Sequence, residues 1–243
     1  MSWVSEDARN GPVVAVTGGA GGIGRAIVDR QHAAGWRAMV LDRRPLPTGP
    51  GARDADFVSC DVTDERSVEA AFDAVRVSVG RLDGLVIAAG TMSTDRLDQA
   101  TGAEWDRVLA VNLRGAALSC RAALPLLGPR SSVVLLSSAA GLNARTVTGV
   151  AYAVSKAGLV HLARVLSAEH ADRGIRVNAV CPGAVETEMS ASIAADALAT
   201  AAQATPRGEI MQPRDVAEVV HFLLDDASLD ITGEALPMGT FRQ

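Results

Sequence analysis

Tyr152 and Lys156 are the residues whose types and spacing first suggest chemistry. Four positions apart on a helix, two side chains share a face, and an ammonium beside a phenol favours the phenolate. An unperturbed tyrosine titrates near ~10, so poising it near neutrality takes about three units, roughly 4 kcal/mol of differential stabilisation. Tyr152 is the only tyrosine in the chain; without the lysine it would read as a half-buried aromatic anchor. Ser137-Ser138 close the apolar run Val133-Val134-Leu135-Leu136. A hydroxyl there points from the carboxyl edge of a sheet, where open α/β sheets bind ligands. On composition alone the two serines are equal candidates. Asn112 stands in a helical pattern, where asparagine is a poor former, which suggests a functional reason for it.

Upstream, Val13-Val14-Ala15-Val16 runs into Thr17-Gly18-Gly19-Ala20-Gly21-Gly22-Ile23-Gly24 and then into the helical Arg25-Ala26-Ile27-Val28. Strand, glycine-rich turn and helix together suit a dinucleotide pyrophosphate. Glycines let the backbone approach the phosphates, and a helix N-terminus offers free N–H groups and a positive dipole end. Eighteen residues past Gly24, Asp42 closes a second apolar run, Ala38-Met39-Val40-Leu41. That is close to the spacing of about 20 at which an acid meets adenosine ribose hydroxyls.

The glycine pattern is T-G-x-x-x-G-x-G, followed in order by Asn112, Ser138, Tyr152-x-x-x-Lys156 and Asn178-Ala179-Val180-Cys181-Pro182-Gly183 with Thr187. This ordered set resembles the short-chain dehydrogenase/reductase superfamily in its form of roughly 250 residues, over about Pro12 to Pro237. The resemblance implies NAD as cofactor and a catalytic tetrad of Asn112, Ser138, Tyr152 and Lys156. Tyr152 would be general acid/base, aided by the charge of a bound oxidised nicotinamide. Lys156 would also bond the nicotinamide ribose, Ser138 the substrate oxygen, and Asn112 a water in the proton relay. The Ser138–Tyr152 gap is one residue longer than the family pattern, within the loop from Gly141 to Val150.

By the same resemblance Gly18, Gly22, Ile23, Gly24 and Asp42 line the cofactor. Asp61 meets the adenine amino group and Val62 packs beside the ring. Ala89 and Gly90 occupy the place of an Asn-Asn-Ala-Gly turn with both asparagines absent. Pro182, Gly183, Val185 and Thr187 seat the carboxamide, with transfer at the pro-S face. Asp42 should reject the 2′-phosphate of NADP, while Arg43 and Arg44 pull the other way.

Composition narrows the remaining classes. The chain has 243 residues, 48% apolar, and a net charge of −5 without a basic cluster, which argues against a nucleic-acid surface. No apolar run reaches the 18 or so residues of a membrane span, and no signal peptide is read at Ser2 to Asp7; a cytoplasmic location is expected. Cys60, Cys120 and Cys181 lie in or beside apolar runs and read as buried reduced thiols. Neither they nor the four histidines make a metal-ligand set, so no metal is expected.

Alternating strands and helices predict a doubly wound parallel α/β sheet, Rossmann-like, in one domain. Strands are expected near 13–17, 38–41, 56–60, 82–88, 132–137, 176–181 and 235–238. Helices are expected near 22–34, 65–79, 103–127, 152–172 and 214–225, with Gly35 and Gly174 as C-terminal glycines. The Pro-rich stretch Arg43 to Ala55 leaves little room for a crossover helix. A lid at about 188–209, rich in alanine and carrying only Asp196 as a charge between Met189 and Gln203, points to an uncharged or partly apolar alcohol or ketone. Surplus apolar residues on the helices near 103–127 and 152–172 predict a homotetramer, with a dimer as fallback. Alternatives are a 3-oxoacyl-(acyl carrier protein) reductase, for which Pro206-Arg207-Gly208 and Pro213-Arg214-Asp215-Val216-Ala217 look familiar. A dihydrodiol dehydrogenase and a nucleotide-binding regulator without turnover complete the set.

Overall fold

The computed structural model describes residues 11–46, 56–143, 148–192, 195–203 and 205–239. Seven strands form one parallel sheet: β1 (Val13–Thr17), β2 (Arg37–Asp42), β3 (Asp56–Ser59), β4 (Leu82–Ile87), β5 (Leu127–Leu136), β6 (Arg176–Pro182) and β7 (Ala235–Met238). Their order is β3-β2-β1-β4-β5-β6-β7. The winding direction reverses between β1 and β4, and the carboxyl edge at such a switch point is where open α/β sheets bind ligands.

Both faces of the sheet are covered, which is why its central strands are apolar without interruption. Every residue of β1 is buried. Val13 and Ala15 face one core with α2 (Glu65–Val79), α4 (Gly115–Ala123) and α5 (Val150–Glu169). Val14 and Val16 face the other, with α1 (Gly22–Ala33) and α7 (Pro213–Leu224). The strand period of two sends neighbours to opposite layers. Gly35 and Gly174 follow helical segments with φ of 81° and 67°, the left-handed region expected of C-terminal glycines.

The expected single helix near 103–127 is replaced by α3 (Gly102–Leu109), a π-turn over Ala110–Arg114, and α4. The helix ends four residues early because Leu124-Pro125 cannot extend it and because Leu127 is taken into β5. Leu127 pairs with Leu82, ahead of a register shift, and Arg130 adopts φ 71° within the extra length. Strand β5 therefore begins five residues before the expected 132. Helix α5 starts at Val150 and stops at Glu169, with a separate 3₁₀ turn at Ala171–Arg173. The crossover after Asp42 falls largely on residues 47–55, outside the described residues.

Arg176 opens β6 and is buried. Its Nη1 donates to Leu223 O at 2.8 Å and Ser228 Oγ at 2.9 Å. A cation on the last carbonyls of α7 answers the negative end of that helix. No described helix is long and apolar enough to cross a membrane.

Candidate active site

The first turn of α1 begins at Gly22 with Gly21 as N-cap and receives no side-chain cap, so its N–H groups are free to meet an anion. The turn before it must be glycine for reasons of space. A Cβ on Gly24 would lie 2.1 Å from Gly18 O, and one on Gly18 would lie 2.6 Å from Ala89 Cα. Ala88 and Ala89 thus pack on the glycine-rich turn through their backbone, and Ala88 N donates to Thr17 O at 3.0 Å; Gly90 instead faces Asn112 Oδ1 and Lys156 Nζ, each 3.6 Å from its Cβ position. The lost asparagines leave this contact intact.

Asp42 ends β2 beside the turn and accepts from Ala20 N at 3.1 Å and Arg44 N at 2.9 Å. Arg44 reaches over Gly21, where a Cβ would meet its guanidinium at 2.6 Å, and lies 3.5 Å from Glu188 at the start of the lid segment. Asp61 accepts from Thr63 N and Oγ1 at 2.9 and 2.7 Å through one oxygen. These bonds hold its carboxyl below the usual range, with Arg43 adding to the effect. Val62 is buried against Gly115, where an added Cβ would meet it at 3.0 Å.

On the far side β6 ends at Pro182, and Gly183 N donates to Met238 O at 2.9 Å. Val185 pairs with Met211. Thr187 crosses the glycine-rich turn, its Cγ2 3.6 Å from the Cβ position of Gly22. A glycine-walled turn, an uncapped helix, a carboxylate at the β2 edge and this crossing segment together fit an extended dinucleotide.

The polar cluster assembles between these arms. Tyr152 and Lys156, on α5, are 8% and 5% exposed. Lys156 Nζ lies 5.6 Å from the Tyr152 ring centroid and donates to Leu136 O at 2.7 Å. Ser138 caps the 3₁₀ turn Ala139–Gly141, accepting from Ala140 N at 3.1 Å, and hydrogen-bonds Tyr152. Ser137 turns inward instead and donates to Lys156 O at 2.8 Å, so the structure separates two serines that composition left equal. Gly141 sets the distance: a Cβ on it would lie 2.6 Å from the Lys156 carbonyl carbon. Only glycine lets the Ser138 turn lie this close to α5.

Burial pushes the Tyr152 phenol up, and the Ser138 bond pulls it back in part. Burial lowers Lys156 from 10.5 to about 8. In the protein alone, desolvation outweighs the ammonium–phenol attraction read from the spacing.

Asn112 is wholly buried inside the π-turn, a distortion that often marks functional positions. Its Oδ1 accepts from Thr91 N at 2.8 Å, and Nδ2 donates to Thr91 O and Ser155 Oγ, both at 2.9 Å. Arg107 holds the same segment through Thr91 Oγ1 at 2.6 Å and Met92 O at 3.1 Å. Gly149 N donates to Ser93 O at 2.8 Å, which ties the start of α5 to this loop. Ser155 and Arg107 were not singled out from sequence; Ser155 sits one residue before Lys156, and the helical pattern does not distinguish it.

Beside Tyr152 lies a cavity of about 130 Å³ lined by Met92, Ala139, Ala140, Met189 and Leu198, among others. Leu198 belongs to α6 (Ala195–Gln203), within the expected lid. The loop across Gly141 to Val150 includes 144–147, outside the described residues.

A protein-family model described as Enoyl-(Acyl carrier protein) reductase matches residues 18–239. The chain is 35% identical over 241 residues to a 2-(S)-hydroxypropyl-CoM dehydrogenase 3 of Xanthobacter autotrophicus, covering 92% of this chain and 93% of that one. It is 34% identical over 232 residues to a cis-4-hydroxycyclohexanecarboxylate dehydrogenase of Sinomonas cyclohexanicum, again 92% and 93% covered. Among solved structures, the aldohexose dehydrogenase of Thermoplasma acidophilum superposes with a TM-score of 0.85 at 28% identity, over 96% of this chain and 94% of that one.

Proposed function

The chain belongs to the short-chain dehydrogenase/reductase superfamily, and from that premise we propose that it transfers hydride between NAD(H) and a secondary alcohol or ketone. The observation that carries the reading is the buried Tyr152 hydroxyl, hydrogen-bonded to Ser138 with the Lys156 ammonium 5.6 Å from its ring. Ser138 and Tyr152 line one cavity, where a reacting oxygen would meet both hydroxyls, with Lys156 behind them.

When bound, the nicotinamide supplies the acceptor or donor of hydride. In the oxidative direction Tyr152 takes the hydroxyl proton at Oη as the C–H electron pair leaves the same carbinol, yielding the ketone. Ser138 Oγ polarises the oxygen, and Lys156 favours the phenolate once it carries its proton. Asn112 fixes the loop from Thr91 and supports the relay behind Lys156. Gly18, Gly22, Ile23 and Gly24 would hold the pyrophosphate, Asp42 the ribose hydroxyls, and Asp61 and Val62 the adenine. Pro182, Gly183, Val185 and Thr187 would border the nicotinamide.

Carbonyl reduction is favoured over enoyl reduction because Tyr152 and Lys156 stand one helical turn apart. A homotetramer is proposed from the apolar surface that remains on α4 and α5. Of the surplus apolar residues expected on the helices near 103–127 and 152–172, Val108, Ala116, Leu159 and Val160 are buried within the subunit and are no part of that surface. Val154 and Val165 stay 47% and 38% exposed, beside half-buried Leu118, Leu162 and Leu166.

The test is hydride exchange with NADH and a panel of ketones, in the protein and in Tyr152→Phe. The substitution should lower turnover at least ~100-fold while the cofactor still binds, in line with a lost general acid/base. Near-normal turnover in Tyr152→Phe would remove the mechanism.

A further inference from the structure

Resting on the dehydrogenase reading, we propose that the substrate is a compact, uncharged secondary alcohol or ketone whose one polar group is the reacting oxygen. The cavity is about 130 Å³, comparable with the ~150 Å³ apolar cavity that takes up a benzene, and because Ile23, Val185 and Thr187 of the cofactor side are part of its lining, a bound nicotinamide would take a share of it. Beyond the end bounded by Pro182 and Gly183, its wall is Met92, Ala139, Ala140, Ala184, Met189 and Leu198. Helix α6 turns one face to it through Ala197, Leu198 and Ala201, while Asp196, Thr200 and Gln203 are exposed on the other side.

The hydrogen-bonding groups in the wall are already engaged. Ser137 Oγ donates to Lys156 O. Ser190 Oγ donates to Thr187 O at 2.8 Å and accepts from Thr187 N at 3.0 Å. Thr148 has a partner within the protein. Thr187 Oγ1 accepts from Ser190 N at 3.3 Å and lies at the cofactor end beside Gly22. Among the described residues, what remains for the substrate is the Ser138–Tyr152 pair, which one oxygen uses up. The charged groups nearby are also committed: Arg107 to Glu104 at 2.7 Å, Glu186 to Gln212 at 2.6 Å. Among the described residues no lining side chain is charged. A second hydroxyl on the substrate would meet no partner among the described residues, and a carboxylate would lose its hydration against thioether and methyl groups.

Three ligands built on one ring test this: cyclohexanone, 4-hydroxycyclohexanone and 4-oxocyclohexanecarboxylate. Each is titrated calorimetrically into the protein with and without NADH, and turnover of the same three is followed by NADH absorbance. The hydroxyl should weaken binding roughly tenfold and the carboxylate at least ~100-fold, on the cost of burying unpaired polar groups. Equal or tighter binding of either substituted ring, or no binding of cyclohexanone, overturns the proposal. If the binding order holds and none of the three is turned over, the dehydrogenase reading fails while the cavity's preference for compact, uncharged ligands stands.

Discussion

Asn112 donates through Nδ2 to Ser155 Oγ at 2.9 Å, across 43 residues of sequence. Ser155 Oγ in turn donates to Tyr152 O at 2.7 Å. The π-turn is thereby joined to the turn of α5 that carries both Tyr152 and Lys156. The other two bonds of the Asn112 amide clasp Thr91, so one side chain fixes the loop after β4 against α5.

Asn112→Ala should therefore leave the Thr91 amide and the Ser155 hydroxyl short of a partner. A stability loss of about 1–3 kcal/mol per stranded buried group is expected, together with a fall in kcat. Thermal unfolding and steady-state kinetics on the same preparation read both. Unchanged stability would show that the amide bonds are replaced by water.

Asp42 should set the cofactor preference. Two unit charges about 4 Å apart at an effective dielectric of 20 interact by roughly 4 kcal/mol, and half of that would give about 30-fold discrimination against the 2′-phosphate. Arg44 opposes it from above Gly21. Asp42→Ala should raise kcat/KM for NADPH relative to NADH by at least tenfold, on about half the interaction just given. Equal efficiency with both cofactors in the unaltered protein would refute the assignment.

Lys156 is the only lysine in the chain, which makes its titration readable in stability. Its folded value of about 8 lies below the ordinary lysine value of 10.5 because burial disfavours the ammonium. Between them the unfolded chain binds more protons, so Lys156 makes stability rise with pH over this window. The thiols act oppositely: Cys60 is raised from 9.0 to about 11 and Cys120 from 9.0 to about 12. Above 9 their contribution is lost as pH climbs. The difference between the protein and Lys156→Met isolates the lysine. The unaltered protein should gain on the variant by about 3 kcal/mol from pH 8 to 10.5. A flat difference in denaturant titrations would mean that Lys156 is not desolvated.

The assembly should report about four times 25.1 kDa by light scattering at micromolar concentration. Val165→Glu, on the exposed face of α5, should shift it towards smaller species without loss of the folded core, because buried like charges facing each other across a two-fold axis repel. A stable monomer in the unaltered protein would refute the interface.

The candidate catalytic pattern was legible in the chain because its parts are local. A tyrosine and lysine four apart share a helix face whatever surrounds them. Glycines between an apolar strand and a helix mark a close backbone approach, and strict alternation of strands and helices leaves few alternatives to a parallel sheet. What sequence alone left open depends on contacts between distant segments. Ser137 and Ser138 have the same chemistry, and only the packing of Gly141 on Lys156 turns one inward and the other towards Tyr152. Asn112 looked like a poor residue in a good helix until its amide met Thr91 and Ser155. The direction of the Tyr152 shift likewise followed from burial, which no spacing encodes: desolvation acts on the whole environment of a group, while the pattern of residues records only its neighbours along the chain.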